Sequence, residues 1–223
     1  MTDDIVKNFK KIYLNILNFC KKINHNPLKI KIVAVSKGHD RIKVEKLIKK
    51  PHFYFGENRL QETIDKWSYI KKEKIKLHYL GALQSKKVNQ ICNIFNVIET
   101  LDSESAANKI ARFVSNNTEK IKPQIFIQVN IGGEKQKRGI PIAEFSDFLK
   151  MCKEKYNLYI NGAMCIPPND NKSSKYFKLM NIICKKNKLN DISMGMSKDY
   201  LKAIEYGSTN IRIGTEIFGK RIK

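Results

Sequence analysis

Long apolar runs are missing from this chain of 223 residues. Nothing in it approaches the roughly 18 consecutive apolar residues that a membrane-spanning helix needs. It starts Met1-Thr2-Asp3-Asp4, acidic where a secretory leader is basic. A soluble, cytoplasmic protein with no membrane partner is expected. The five cysteines, at positions 20, 92, 152, 165 and 184, are odd in number and lack CxxC spacing. That pattern argues against a zinc cage or a disulfide framework and for reduced, partly buried thiols. The four histidines, at 25, 39, 52 and 78, are scattered, without an HExxH motif or paired carboxylates, so no metal is expected. Pro/Ser linkers, acidic blocks and internal repeats are absent too. Residues 1–223 therefore read as a single domain, and 42% apolar residues is enough to fill a continuous core.

Arginine is scarce. The net charge of +22 points at face value to a polyanionic partner such as nucleic acid. The cations are 37 lysines and only 6 arginines, whereas groove and phosphate recognition leans on the bidentate guanidinium. The lysines are spread along the chain in pairs such as Lys10-Lys11, Lys49-Lys50 and Lys185-Lys186. They read as solvated faces, and no nucleic-acid partner is expected.

What is present is alternation. Over 4–22, Ile5, Phe9, Ile12, Ile16 and Cys20 fall at helical spacing, which predicts an amphipathic N-terminal helix, within 1–25, packing on the domain. Short apolar runs follow at 31–36, 52–55, 76–80, 95–99, 124–129, 158–163, 191–194 and 209–213. Segments of helical character separate them, at 61–72, 85–92, 103–115, 142–155, 172–186 and 198–206. Strands alternating with helices imply a parallel α/β sheet with right-handed crossovers. Eight units at this length predict a single closed (β/α)8 TIM barrel with an extra N-terminal helix; an open doubly wound sheet is the alternative. The polar stretches 132–138 and 167–174 would be mobile loops at the barrel mouth.

In such a barrel the site lies at the C-terminal strand ends, with phosphate held after the last two strands. Lys37 ends the first strand with the parity of Val33 and Val35; it is either a solvated lysine or an amine able to form a Schiff base with an aldehyde. Ser197 would cap the helix after the seventh strand, and Gly195 would let the backbone approach a phosphate there. In the last strand Ile211 and Ile213 share one face, so Arg212 points into the barrel, where it needs a carboxylate such as Glu99 or Asp102, a phosphate or a ring nitrogen. Gly214 and Thr215 would add an amide and a hydroxyl beside Ser197, completing a phosphate cup. His78 reads as a satisfied core histidine, and Asn58 as either a cap or a ligand contact.

The strand-end motifs AVSK, FGEN followed by QE, HYLGALQSKK, IETLDS, QVNIGGEKQKRG, GAMCIPP, SMGMSKD and STNIRIGTEIFG occur in that order over nearly the whole chain. In this the sequence resembles the pyridoxal phosphate homeostasis proteins, whose pyridoxal 5'-phosphate-binding barrel is related to the N-terminal domain of alanine racemase. The resemblance implies that Lys37 carries the cofactor as a Schiff base, that Ser197, Gly214 and Thr215 hold its phosphate, that Arg212 faces the pyridine nitrogen, and that Asn58 lies near it. One departure is Lys86-Lys87 after Leu83-Gln84-Ser85, where the family usually has Asn-Lys. An Arg at the ring nitrogen leaves it unprotonated and a weaker electron sink than an Asp would. Alanine racemases take a second base, a Tyr, from a further C-terminal domain, and this chain ends at Lys223, soon after the last strand. The expected function is a monomeric carrier or buffer that serves PLP-dependent apo-enzymes without turnover, with no catalytic residue assigned. An amino-acid racemase using Lys37 and a basic nucleic-acid-binding protein are the alternatives.

Overall fold

The computed structural model describes residues 4–49, 52–70, 74–119 and 121–220. The end of the helix predicted over 61–72, Lys50 of one lysine pair, the first three residues and the chain end at Lys223 lie outside them. The apolar runs become parallel strands that close on themselves: β1 (Lys31–Val35), β2 (Tyr54–Glu57), β3 (Lys76–Tyr79), β4 (Val97–Leu101), β5 (Gln124–Asn130), β7 (Gly162–Cys165), β8 (Asp191–Ser193) and β9 (Asn210–Ile213). Each pairs with the next in that order, and β9 pairs with β1, matching Val33 with Arg212. The β4–β5 and β1–β9 pairings together decide for the closed barrel over the open sheet. A two-residue strand, β6 (Ile140–Pro141), adds to the upper end of β5.

The crossovers are α2 (Arg41–Ile48), α3 (Leu60–Trp67), α4 (Val88–Ile94), α5 (Glu104–Asn116), α6 (Phe145–Glu154), α7 (Ser173–Lys186) and α8 (Tyr200–Glu205), followed by a single turn, α9 (Thr215–Phe218). The N-terminal helix α1 (Ile5–Lys22) is capped by Asp4, whose carboxylate accepts the Lys7 amide at 3.1 Å, and Lys21 and Lys22 complement its C-terminal dipole. Its apolar stripe Ile5, Ile12, Ile16 and Cys20 is buried, and Asn8 donates to the Ile217 carbonyl at 3.2 Å. The expected packing of this helix on the barrel is therefore realised over α9. None of the helices among the described residues is long and apolar enough to cross a membrane.

Four strands, β2, β4, β7 and β9, start later than their apolar runs, and for β4 and β7 the physical reason is the same. Asn96 donates its amide to the Leu77 carbonyl and accepts the Leu77 amide on its side-chain oxygen, both at 2.9 Å. Asn161 does the same with Ile125, at 2.8 and 2.9 Å. A side-chain amide replaces the first rung of the ladder, so β4 begins at Val97 and β7 at Gly162, not at 95 and 158. Gly162 is needed there, because a Cβ would lie 2.1 Å from the Asp191 carbonyl oxygen on the neighbouring strand.

The helix predicted from 198 starts at Tyr200. Asp199 accepts the Met196 amide at 2.8 Å and donates its own to the Met196 carbonyl at 3.0 Å, closing residues 196–199 into a turn. Ser197 is thus in the turn and not the helix cap. The loops after β5 and β7 are also less independent than expected. The Asn130 side chain bonds the Glu134 and Lys137 carbonyls at 2.9 and 3.3 Å, and Lys137 Nζ donates to the Pro167 carbonyl at 3.2 Å.

Strand alternation sorts the core. Ile211 and Ile213 face the helix layer, while Arg212 turns inward as the parity predicts. Within the barrel Val97, Phe126 and Met164 form a separate apolar plug. Beside it lie four buried polar side chains, His78, Glu99, Ser193 and Arg212.

Candidate functional site

A cavity of about 530 Å³ opens at the C-terminal strand ends. Lys37, Ser197, Arg212, Gly214 and Thr215 all line it, together with Val35, His39, Leu80, Lys137, Lys198 and Asp199. Five of the six residues singled out in the sequence thus meet in one place. Asn58 does not line this cavity; it is half-buried just past β2, where its carbonyl packs so closely that a Cβ on Gly81 would lie 2.1 Å from it.

The side of the cavity around Gly195 and Gly214 is shaped by backbone. Gly195 has φ +90°, and a Cβ there would come within 2.5 Å of the Ala203 side chain, so only glycine lets the chain after β8 lie against α8. Across from it, Gly214 sits tightly on β1, where an added Cβ would be 3.1 Å from the Val35 carbonyl oxygen. The Thr215 hydroxyl and the first amides of α9 follow directly, and such first-turn amides lack intrahelical acceptors.

Arg212 is held from below. One terminal nitrogen donates to Ser193 Oγ at 2.6 Å and the other to the Cys165 carbonyl at 2.9 Å. The Ser193 hydroxyl donates to Glu99 Oε2 at 2.6 Å, and His78 Nδ1 bonds Glu99 Oε1 at 2.6 Å. Since an ionised carboxylate only accepts, His78 carries its proton on Nδ1. Arg212 and Glu99 stand 3.8 Å apart, which settles Glu99 over Asp102 as the carboxylate below the guanidinium. Asp102 instead receives Arg138 at 2.8 Å. Burial pushes the Glu99 carboxyl up, but the His78 hydrogen bond and charge, then Arg212 and Ser193, outweigh it and hold the group below its ordinary range. His78 is buried in the core as expected, but only half satisfied: Nδ1 bonds Glu99, while Nε2 has no hydrogen-bond partner among the described residues.

Lys37 sits in the turn after β1 and is half-buried. The residues flanking it are tied to α3. Lys66 Nζ donates to the Ser36 carbonyl at 2.7 Å, to Glu57 Oε1 at 2.9 Å and to Glu62 Oε1 at 2.9 Å. Glu62 Oε1 also accepts the Gly38 amide at 2.6 Å, while the Ser36 hydroxyl and Trp67 Nε1 donate to Glu57 Oε1 at 2.7 and 3.1 Å. Sequence reasoning missed Lys66, Glu57, Glu62 and Lys137. Lys66 falls at i+4 from Glu62, a spacing that signals a surface pair as readily as a buried one.

Known proteins converge on the same barrel. The sequence model of the alanine racemase N-terminal domain matches residues 8–221. The pyridoxal phosphate homeostasis protein of Haemophilus influenzae is 32% identical, over 98% of this chain and 96% of its own. That of Schizosaccharomyces pombe is 32% identical, over 88% of this chain and 86% of its own. The chain belongs to this family. Among solved structures, PipY of Synechococcus elongatus with PLP bound superimposes with a TM-score of 0.79 at 26% identity, covering 92% of this chain and 100% of that one. An alanine racemase of Clostridium difficile shares the fold at TM-score 0.75 and 16% identity; this chain spans 58% of its length. Six of the eight strand-end motifs, all but FGEN and IETLDS, contribute to the lining of one cavity, with the Arg212 network beneath it and the Lys66 network behind the turn that carries Lys37.

Proposed function

We propose that this chain binds pyridoxal 5'-phosphate in the cavity and holds it for delivery to PLP-dependent apo-enzymes, without turnover. Lys37 would hold the cofactor as a Schiff base through its amine, the aldehyde oxygen leaving as water. Ser197, Gly214 and Thr215 hold the phosphate, Arg212 faces the pyridine nitrogen, and Asn58 supports the rim nearby. The single observation that carries this reading is the convergence of an amine, a guanidinium, two hydroxyls and a glycine approach on one cavity lined further by Lys137 and Lys198. Its volume falls in the usual range for a small-molecule site, and its cations suit a phosphate dianion.

When bound, the cofactor supplies an electrophilic aldehyde and an electron-withdrawing ring. The protein supplies orientation. Arg212, fixed by Ser193 and the Cys165 carbonyl, keeps a positive charge at the ring nitrogen and so opposes its protonation, which disfavours carbanion chemistry. Five free, buried cysteines suit a reducing compartment, and the reading includes a monomer in the cytoplasm.

Titration with PLP is expected to produce a visible absorbance that borohydride abolishes, leaving a pyridoxyl adduct on the peptide carrying Lys37. Mixing the loaded protein with a PLP-dependent apo-enzyme should restore that enzyme's activity. An adduct on another lysine, or none, overturns the assignment.

A further inference from the structure

The turn that carries Lys37 is gripped on both sides by one helix. The peptide carbonyl before Lys37, that of Ser36, accepts a hydrogen bond from Lys66 at 2.7 Å. The peptide amide after it, that of Gly38, donates to Glu62 at 2.6 Å. Lys66 and Glu62 are one turn apart on α3 and bond each other at 2.9 Å, so the two grips form one unit. The third Lys66 donor goes to Glu57, which is fully buried at the end of β2 and also takes the Ser36 hydroxyl and the Trp67 ring N–H. Every donor of the Lys66 ammonium is matched, and its side chain is only 5% exposed.

An ion cluster in this position is a costly way to stabilise a barrel. Desolvating one ammonium and two carboxylates consumes most of their mutual attraction, and apolar residues of similar volume often do as well. The cluster does what apolar packing cannot: it fixes the rotation of the two peptide planes flanking Lys37. Gly38 has φ +71°, and this turn reverses the chain between β1 and α2. With both planes fixed, the Lys37 Cα–Cβ vector is fixed too, whatever the side chain then does. We infer that Lys66, Glu62 and Glu57 form a positioning cluster that holds the Lys37 amine in line for condensation with an aldehyde seated in the cavity. The inference rests on the reading of Lys37 as the Schiff-base lysine. The cluster acts through the backbone of the turn.

The test compares PLP with pyridoxine 5'-phosphate, which keeps ring and phosphate but has an alcohol in place of the aldehyde. Glu62→Ala removes the Gly38 acceptor and unbalances Lys66, whereas Glu62→Gln retains an acceptor oxygen without the charge. A positioning role predicts that Glu62→Ala slows Schiff-base formation and weakens PLP retention by about tenfold or more, the scale expected when an amine is displaced from its reacting geometry. Affinity for pyridoxine 5'-phosphate should stay within about twofold, because only the covalent step depends on the amine. Glu62→Gln should recover most of the rate. In the ligand-free protein, hydrogen exchange at the Gly38 amide should be faster in Glu62→Ala and close to wild type in Glu62→Gln. Lys66→Met is the second variant if Glu62→Ala folds poorly, and it should give the same split between the two ligands.

Equal losses for both ligands would make the cluster merely structural, and no loss for either would make it idle; each result overturns the inference. Lys37→Ala distinguishes the two levels. If that variant alone still forms a borohydride-reducible adduct, the Schiff-base reading fails first and the positioning role with it. If it does not, the Glu62 results bear on the positioning role alone.

Discussion

Replacing Arg212 by methionine keeps most of the side-chain volume but removes two hydrogen bonds and one charge from the barrel interior. Its charge lies 3.8 Å from a Glu99 oxygen, and at an effective dielectric near 20 that attraction is about 4 kcal/mol. Glu99 is fully buried and stays bonded to His78 and Ser193 at 2.6 Å, so part of its stabilisation survives. Removing one member of a buried pair typically costs about 3–5 kcal/mol, and the remaining partners put this case near the lower end, at about 3 kcal/mol. For a chain of this size that is a fall in Tm of about 6–12 °C at neutral pH. The double variant Glu99→Gln/Arg212→Met leaves no uncompensated charge and should regain about 2 kcal/mol relative to additivity. The sign with pH follows from the depressed Glu99 carboxyl. Its contribution is present above the ordinary value of 4.5 and is lost as pH falls through the lower folded value, so the Arg212→Met deficit should shrink in acid. Calorimetry of the ligand-free single and double variants from pH 7 to pH 3 checks all three statements. A single variant melting within about 2 °C of wild type, or additive losses in the double, would refute the coupling of Arg212 to Glu99.

Two further outcomes are expected. His52 packs against Phe9 and Phe55 at ring separations of 4.5 and 5.2 Å, and burial lowers its pKa from 6.5 to about 4, only partly countered by its bond to the Tyr54 carbonyl. The unfolded chain binds a proton at His52 between those values and the native one does not, so stability rises with pH across this window, by up to about 3 kcal/mol. Denaturant titrations of His52→Phe should be flatter than wild type between pH 6.5 and 4; parallel profiles would rule the histidine out as the source. Gly195→Ala puts a Cβ 2.5 Å from Ala203 at φ +90°, which should shift the turn bearing Ser197 and weaken binding of PLP by roughly tenfold, with little effect on unphosphorylated pyridoxal. Equal losses for both ligands would show that the turn does not serve the phosphate.

Much of the fold was legible because parallel strands covered by helices appear as short apolar runs between amphipathic segments. The runs located all eight barrel strands but blurred where four of them begin, two of these because Asn96 and Asn161 make ladder-like bonds through their side chains. Arg212 was legible from parity alone, because a cation between two isoleucines on a barrel strand must face inward. Lys37 could be placed at a strand end, but the Schiff-base role proposed for it came from the order of the motifs. Lys66 and Lys137 were not legible, because nothing in the residue type separates a lysine held by the fold from the many solvated ones. What distinguishes Lys66 is its approach to Ser36, thirty positions earlier in the chain, and that proximity is created only when α3 folds back over β1 and β2.

The Arg212 network lies where the barrel could have been filled with hydrocarbon, as it is at Val97, Phe126 and Met164, and the Lys66 cluster lies between β2 and α3, where Phe55 and Trp67 pack. An apolar plug tolerates small shifts, since its contacts are numerous, weak and non-directional. Hydrogen-bonded ions do not, because each donor has one geometry that satisfies it and displacement leaves a buried charge exposed to no solvent. A site that places an amine and a guanidinium relative to the same small ring, as proposed for Lys37 and Arg212, needs directional support at both ends and compliant packing beneath. The division of the interior follows that requirement. The Lys66 cluster fixes the backbone of the turn at β1, the Ser193–Glu99–His78 chain fixes the guanidinium on β9, and the neighbouring pairing of β1 with β9, Val33 against Arg212, keeps the two in register. Loosening either network should therefore change how the cavity is furnished before it changes whether the barrel closes.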